Sequence, residues 1–142
     1  MQLVDANVLL YAVNRDAPHH AAARGWLDRA LGGARTVGFA WVAVLAFLRL
    51  STRSGLFPKP LSVDDAVSVV QVWLSQPAAI VVHPTARHLS VLHGLLQPLG
   101  AAGNLVTDAH LAALAVEHAA ELVSYNADFS RFPGLRWRTP QP

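Results

Sequence analysis

The chain has 142 residues, 53% of them apolar and only 14% charged, which fits one domain with a sizeable core and excludes a disordered chain. It has no cysteine, so disulfides and thiolate metal sites are excluded and a cytoplasmic location is the expectation. No apolar run reaches the roughly 18 residues that span a bilayer, no signal peptide is evident, and a net charge of +2 is too small by itself to indicate a nucleic-acid partner.

Residues 2–5 read as a short strand, followed by a helix from Asn7 to Val13. "NRDAPHH" is a loop, and Pro18 suits the first turn of the next helix, which runs to about Leu31 and ends at Gly32 and Gly33. "RTVGFA" is a second strand, and residues 41–54 are helical. The two prolines of "GLFPKP" break that helix. Ser62 opens another, with Asp65 three residues on as an imperfect capping box. "AAIVVH" is a third strand, and 85–99 and 104–118 are helical. "AELVSY" is a fourth strand, and Leu135–Trp137 a short last one. Strands alternating with helices predict a single α/β domain over residues 1–142, a central mostly parallel sheet with helices on both faces.

Three aspartates stand where apolar runs meet a loop or a helix: Asp5 in "LVDANV", Asp108 in "LVTDAHL" and Asp128 in "LVSYNADF". A carboxylate at such a place is costly unless its charge is compensated. Ligands of α/β sheets sit at the carboxyl ends of strands, where the three acids could converge on one divalent cation. Asn7, Thr107, Ser124 and Asn126 lie beside them and could orient the carboxylates or bound waters. Ordinary roles compete at each position: Asp5 or Asp128 could cap a helix, and Asp108 could be a favourable charge in a first helical turn.

The remaining polar residues carry weaker signals. The seven histidines show no zinc signature and read as structural or solvent-facing. His110, two residues after Asp108, is a candidate substrate contact. Arg49 and Arg53 share one helical face. Arg131, Arg136 and Arg138 are interleaved with Phe132 and Trp137, a mixture suited to an RNA backbone with unstacked bases, or to a protein partner. Glu117 and Glu121 are the only glutamates.

The stretches "LVDANVLLYA", "FAWVAVLAFLRLSTRSGLFPKPL", "NLVTDAHLAALAVEH" and "LVSYNADFSRFPGLRW", in this order along nearly the whole chain, resemble the PIN-domain family and, within it, the VapC-type toxins of bacterial toxin–antitoxin pairs. The resemblance implies a small ribonuclease using Mg2+ or Mn2+, a homodimer, and a small VapB-type antitoxin that obstructs the site. Matched by position, Asp5, Asp108 and Asp128 are the catalytic, metal-holding acids. Arg49, Arg53, His110 and Arg131 remain candidates for RNA or antitoxin contact. Two positions depart from the family pattern. Ala46 stands where a glutamate is usual, and Asn126 where many relatives carry an aspartate. Both remove negative charge, which implies weaker metal affinity or a single metal.

The resulting expectation is an endoribonuclease that hydrolyses RNA to 5′-phosphate and 3′-hydroxyl ends. Its rival is a catalytically weakened RNA- or protein-binding module on the same scaffold. A phosphatase using Asp5 as nucleophile is disfavoured, because that chemistry wants a second aspartate at position 7, where the chain has Asn7.

Overall fold

The computed structural model describes all 142 residues. Its five strands are β1 (Gln2–Val4), β2 (Val37–Ala40), β3 (Ala79–Val82), β4 (Glu121–Val123) and β5 (Trp137–Arg138). Six helices connect them: α1 (Ala6–Val13), α2 (His20–Leu31), α3 (Trp41–Thr52), α4 (Val63–Leu74), α5 (His88–Leu96) and α6 (Val106–Glu117). The strands form one sheet in the order β3-β2-β1-β4-β5, and every pairing is parallel.

Strand alternation builds the two layers of core. Leu3 of β1 and Leu122 of β4 face α5 and α6, where they join Leu95, Ala109 and Leu111 through Ala115. Their neighbours Val4 and Val123 face the other way, together with Val37 and Phe39 of β2. That second layer is closed by Val8, Leu9, Trp26, Leu27, Phe47, Val70 and Trp73 from α1 to α4. Each fully buried side chain of this kind contributes about 2 kcal/mol. Burial on both faces is why the central strands β1, β2 and β4 read as short continuous apolar runs.

The helix boundaries differ from the sequence expectation at informative places. Pro18 lies outside α2, which begins at His20 after a turn. The helix expected from Thr85 begins only at His88, because the Thr85 amide and hydroxyl are both engaged by the Glu117 carboxylate. Its end tightens into a 3-10 turn at Gln97–Leu99, where Pro98 cannot continue the backbone ladder. A second 3-10 turn at Gly103–Leu105 precedes α6, so Asp108 falls in the first turn of that helix.

The order of the strands decides where a ligand can sit. The chain steps outward from β1 through β2 to β3 on one side, and continues as β4 and β5 on the other. The crevice at the carboxyl ends of β1 and β4 is therefore the topological switch point, the usual ligand position in an open parallel sheet.

Gly38 lets three strands meet under α5 and α6. A β-carbon there would stand 2.6 Å from Val82 Cγ2 and 3.2 Å from Leu3 Cδ1. The substitution Gly38→Ala is therefore expected to cost about 1–3 kcal/mol through overpacking. Urea denaturation should show a lowered midpoint with an unchanged slope.

Candidate active site

Parallel register brings the first acid to its partner. Val4 pairs with Val123, so the next residues, Asp5 and Ser124, emerge side by side. The Asp5 amide continues the ladder to the Val123 carbonyl at 3.0 Å. Asp5 is the N-cap of α1, its Oδ1 accepting the Ala6 amide at 2.7 Å. Its Oδ2 accepts the buried Ser124 hydroxyl at 2.7 Å and the Asn7 amide at 3.3 Å. Asn7 also donates to Ser124 Oγ at 3.1 Å and accepts the Tyr125 backbone amide at 3.1 Å. The capping role and a ligand role are thus compatible, since the cap uses one carboxylate oxygen.

Asp108 arrives from the first turn of α6. It shares a cavity of about 170 Å³ with Asp5, walled by Ala6, Val42, Ala43, Ala46, Arg49, Thr107 and Leu111. Asn126 connects the second acid to the third. Its side-chain amide donates to Asp108 Oδ2 at 3.3 Å, while its Oδ1 accepts the Asp128 backbone amide at 3.0 Å. Asn126, rather than Asp128, is the cap of the 3-10 turn Ala127–Arg131. Asp128 itself is exposed and lies outside the cavity lining.

Charge, more than hydrogen bonding, is what this arrangement leaves unsettled. Burial pushes the Asp5 carboxyl above its ordinary range, against the opposing hydrogen bonds from Ser124 and Ala6. Burial also raises Asp108, followed by repulsion from Asp5 and, more weakly, from Asp128, with the Asn126 hydrogen bond opposing. No lysine, arginine or histidine stands within 4.0 Å of any of the three carboxylates. Every partner of Asp5 and Asp108 is neutral.

The convergence expected from sequence is partial. Asp5 and Asp108 share one cavity, but no three carboxylate or imidazole groups stand together as a ready-made metal cage. The physical reason is the interposed Asn126 and the outward position of Asp128. The donor chemistry nonetheless fits a hard divalent cation: two carboxylates on one cavity, neither ion-paired with a side-chain cation, with room for water or a phosphate oxygen. Ala46 lines this cavity on α3, so a longer acidic side chain there would point at the same space.

The other singled-out residues separate. Arg49 is exposed and lines the acid cavity. Arg53 follows the end of α3 in extended backbone, and Arg131 ends the 3-10 turn after Asp128, both exposed. Thr107 lines the cavity but makes no side-chain hydrogen bond to the acids. His110 turns away toward α5.

There it joins a polar network that sequence reasoning missed. Glu117 Oε1 accepts the Thr85 amide at 2.9 Å and the Thr85 hydroxyl at 2.6 Å, while Oε2 pairs with His88 Nδ1. His88 Nε2 and His110 Nδ1 are 2.8 Å apart. Burial pushes the Glu117 carboxyl up, but the bonds from Thr85 and His88 outweigh it and hold the group below its ordinary range. Burial lowers His110, as does repulsion from His88. This network pins α5 to α6. The usable signal was the scarcity of glutamate, with Glu117 set in an otherwise alanine-rich apolar helix.

Comparison with known proteins gives a consistent picture. The model of the PIN domain family matches residues 3–135. Ribonuclease VapC37 of Mycobacterium tuberculosis is 56% identical over 140 residues, covering 99% of this chain and 97% of the relative. Ribonuclease VapC33 of the same species is 39% identical, covering 99% and 98%. Among solved structures, VapBC2 from Rickettsia felis bound to a promoter DNA fragment superposes with a TM-score of 0.72 at 20% identity, covering 97% of each chain. Mycobacterium tuberculosis VapC20, described as a Sarcin-Ricin loop cleaving toxin, gives 0.65 at 17% identity, covering 96% and 99%. These structural likenesses establish the fold.

The raised carboxyls set a stability test. A folded-state pKa above the unfolded value means the native state holds its proton more tightly, so the charged cluster costs stability above that pKa. The cost disappears as pH falls toward the ordinary 3.8 of aspartate. In metal-free protein, Asp108→Asn should raise the melting temperature at pH 7.5, and the advantage should shrink at pH 4. Adding Mn2+ should raise the melting temperature of the wild-type chain and not of an Asp5→Asn, Asp108→Asn double variant.

Proposed function

This chain belongs to the PIN-domain family, and we propose that it is a VapC-type endoribonuclease whose Asp5 and Asp108 hold a Mg2+ or Mn2+ ion, with Asp128 joining from the rim. The observation that carries this reading is the pair of uncompensated, partly buried carboxylates facing one cavity at the β1–β4 switch point. The relatives named ribonucleases, at up to 56% identity over 140 residues, support the activity.

When bound, the cation neutralises phosphate charge and activates water for attack on phosphorus. The chain's own residues do the rest. Ser124 and Asn7 hold Asp5 by its Oδ2, leaving Oδ1 on the helix cap, and so fix the direction of the carboxylate. Asn126 ties Asp108 to the segment bearing Asp128, so one amide sets the spacing of two acids. Arg49 at the cavity wall offers a guanidinium for a non-bridging phosphate oxygen. Ala46 leaves one fewer carboxylate than the family pattern, which favours a single tightly held ion, with RNA phosphate completing the charge of any second.

Protein partners follow from exposed apolar surface. Trp41 is 49% exposed and Leu45 57% exposed, one turn apart on α3, the helix that also carries Ala46 and Arg49. An antitoxin segment covering that face would border the acid cavity, in keeping with the VapBC complexes whose toxin fold this chain shares. Leu89, 78% exposed, with Leu92 and Leu96 on α5, is the surface that a second copy of the chain would cover. No helix is long and apolar enough to cross a membrane.

The test is cleavage of structured RNA in Mg2+ or Mn2+. Wild-type protein should cut, leaving 5′-phosphate ends, and EDTA, Asp5→Asn or Asp108→Asn should each reduce cutting to background. Ser124→Ala, which removes a group that orients a ligand, should lose roughly 10–100-fold. Equal cutting by wild type, Asp5→Asn and EDTA-treated samples would identify a contaminating nuclease and remove the assignment. Ala46→Glu restores a carboxylate to the cavity, so calorimetric titration should show tighter Mn2+ binding than in the wild type.

A further inference from the structure

On the α1–α2 side of the sheet three aromatic rings form a column, Tyr11 and Tyr125 resting on the core and His19 lying outside it. Tyr125 follows Ser124 in sequence, and its ring meets Tyr11 of α1 at 5.4 Å between centroids. His19, in the loop before α2, lies flat on Tyr125, 4.3 Å away with the planes inclined by only 17°. The Tyr11 and His19 rings are 5.7 Å apart. Tyr11 and Tyr125 are half-buried, whereas His19 is exposed.

We propose that the His19–Tyr125 stack is a platform for one unpaired nucleobase of the RNA, next to the scissile phosphate. The proposal rests on the ribonuclease reading and adds a substrate-positioning contact to it. Two hydrogen bonds tie the platform to the acids. The Tyr125 amide donates to Asn7 Oδ1, and Asn7 Nδ2 donates to Asp5 Oδ2. Tyr11 lies four residues beyond Asn7, just over one helical turn or about 6 Å along α1. On this proposal an RNA strand with one phosphate at Asp5 would lay a neighbouring base on the rings.

The chemistry of the column supports a stacking role. A buried tyrosine kept for its hydroxyl normally anchors it in a hydrogen bond. The Tyr125 hydroxyl is buried with no partner, so what the fold uses is the ring face. His19 has one face on Tyr125, and the residue is exposed to solvent. The loop bearing it is fixed to α1 by the contact of His20 Nδ1 with the Tyr11 carbonyl at 2.8 Å. A flat, held, solvent-facing ring costs an arriving base little ordering and accepts any base, because every base has a π face.

The probe is a single-stranded RNA dodecamer with 2-aminopurine placed at successive positions, bound to the full-length protein in EDTA so that no cleavage occurs. Stacking should quench the fluorophore strongly at one position. His19→Ala should abolish that quenching and weaken binding about tenfold, a typical effect of losing one base–aromatic stack. His19→Phe should restore both, while His93→Ala, at an exposed histidine on α5, should behave as wild type. Circular dichroism of each variant confirms an intact fold. RNA affinity and quenching unchanged in His19→Ala would overturn the proposal and leave a protein partner as the occupant of these rings. Because this readout needs no catalysis, it stands apart from the cleavage test of the nuclease reading. A wild type that quenches but does not cut would fail the nuclease reading alone.

Discussion

The carboxylate of Asp5, taken partly out of water at the end of β1 and met only by neutral donors, is the constraint around which the rest of the site is arranged. Its position follows from the parallel pairing of β1 and β4, which leaves Asp5 and Ser124 adjacent as the strands end. Hydrogen bonds from Ala6, Asn7 and Ser124 make this charge tolerable without removing it. Asp108, entering from α6, adds a second charge to the same cavity and is itself raised by Asp5. Paired buried charges are stable when an opposite charge joins them, and no side-chain cation stands within 4.0 Å of either carboxylate, Arg49 reaching only the cavity wall. A divalent cation would provide that charge in the simplest way, and the same cation would supply the chemistry of the proposed phosphodiester hydrolysis.

Two polar devices outside the acid cavity divide the work of holding it. On the α5–α6 face, the buried Glu117 side chain collects Thr85 and His88, and His88 reaches His110, so the helix that presents Asp108 is fixed along its length. On the opposite face, Asn7 links Asp5 to the Tyr125 backbone and thereby to the aromatic column. Neither device touches the cavity with a charge. The acids keep their negative potential while their backbones are immobilised, which is the preorganisation that a metal site requires.

Much of the fold was legible because both faces of the sheet are buried. Runs such as Leu3–Val4 and Leu122–Val123 read as short interior strands or the first turns of buried helices, and the alternation of strands with helices left a parallel α/β sheet as the economical arrangement. Asp5 and Asp108 stood out as acids just after the apolar pairs Leu3–Val4 and Leu105–Val106. What remained hidden depended on contacts between distant segments. The late start of α5 is set by Thr85 bonding to Glu117, 32 residues away. The His88–His110 contact joins two helices and has no sequence spacing to betray it. Asn126 looked like a lost acid, yet it caps the turn before Asp128 and bridges to Asp108, two tasks that suit an amide carrying both a donor and an acceptor. The place of Ala46 came from resemblance, and only the cavity lining gives it physical meaning.

A crystal soaked in Mn2+ and measured for anomalous scattering tests the central claim most directly. A single strong peak is expected within oxygen-ligand distance, about 2.0–2.4 Å, of both Asp5 and Asp108, lost when Asp5 is changed to Asn. An empty cavity at saturating Mn2+, or a peak seated on other residues, would contradict it.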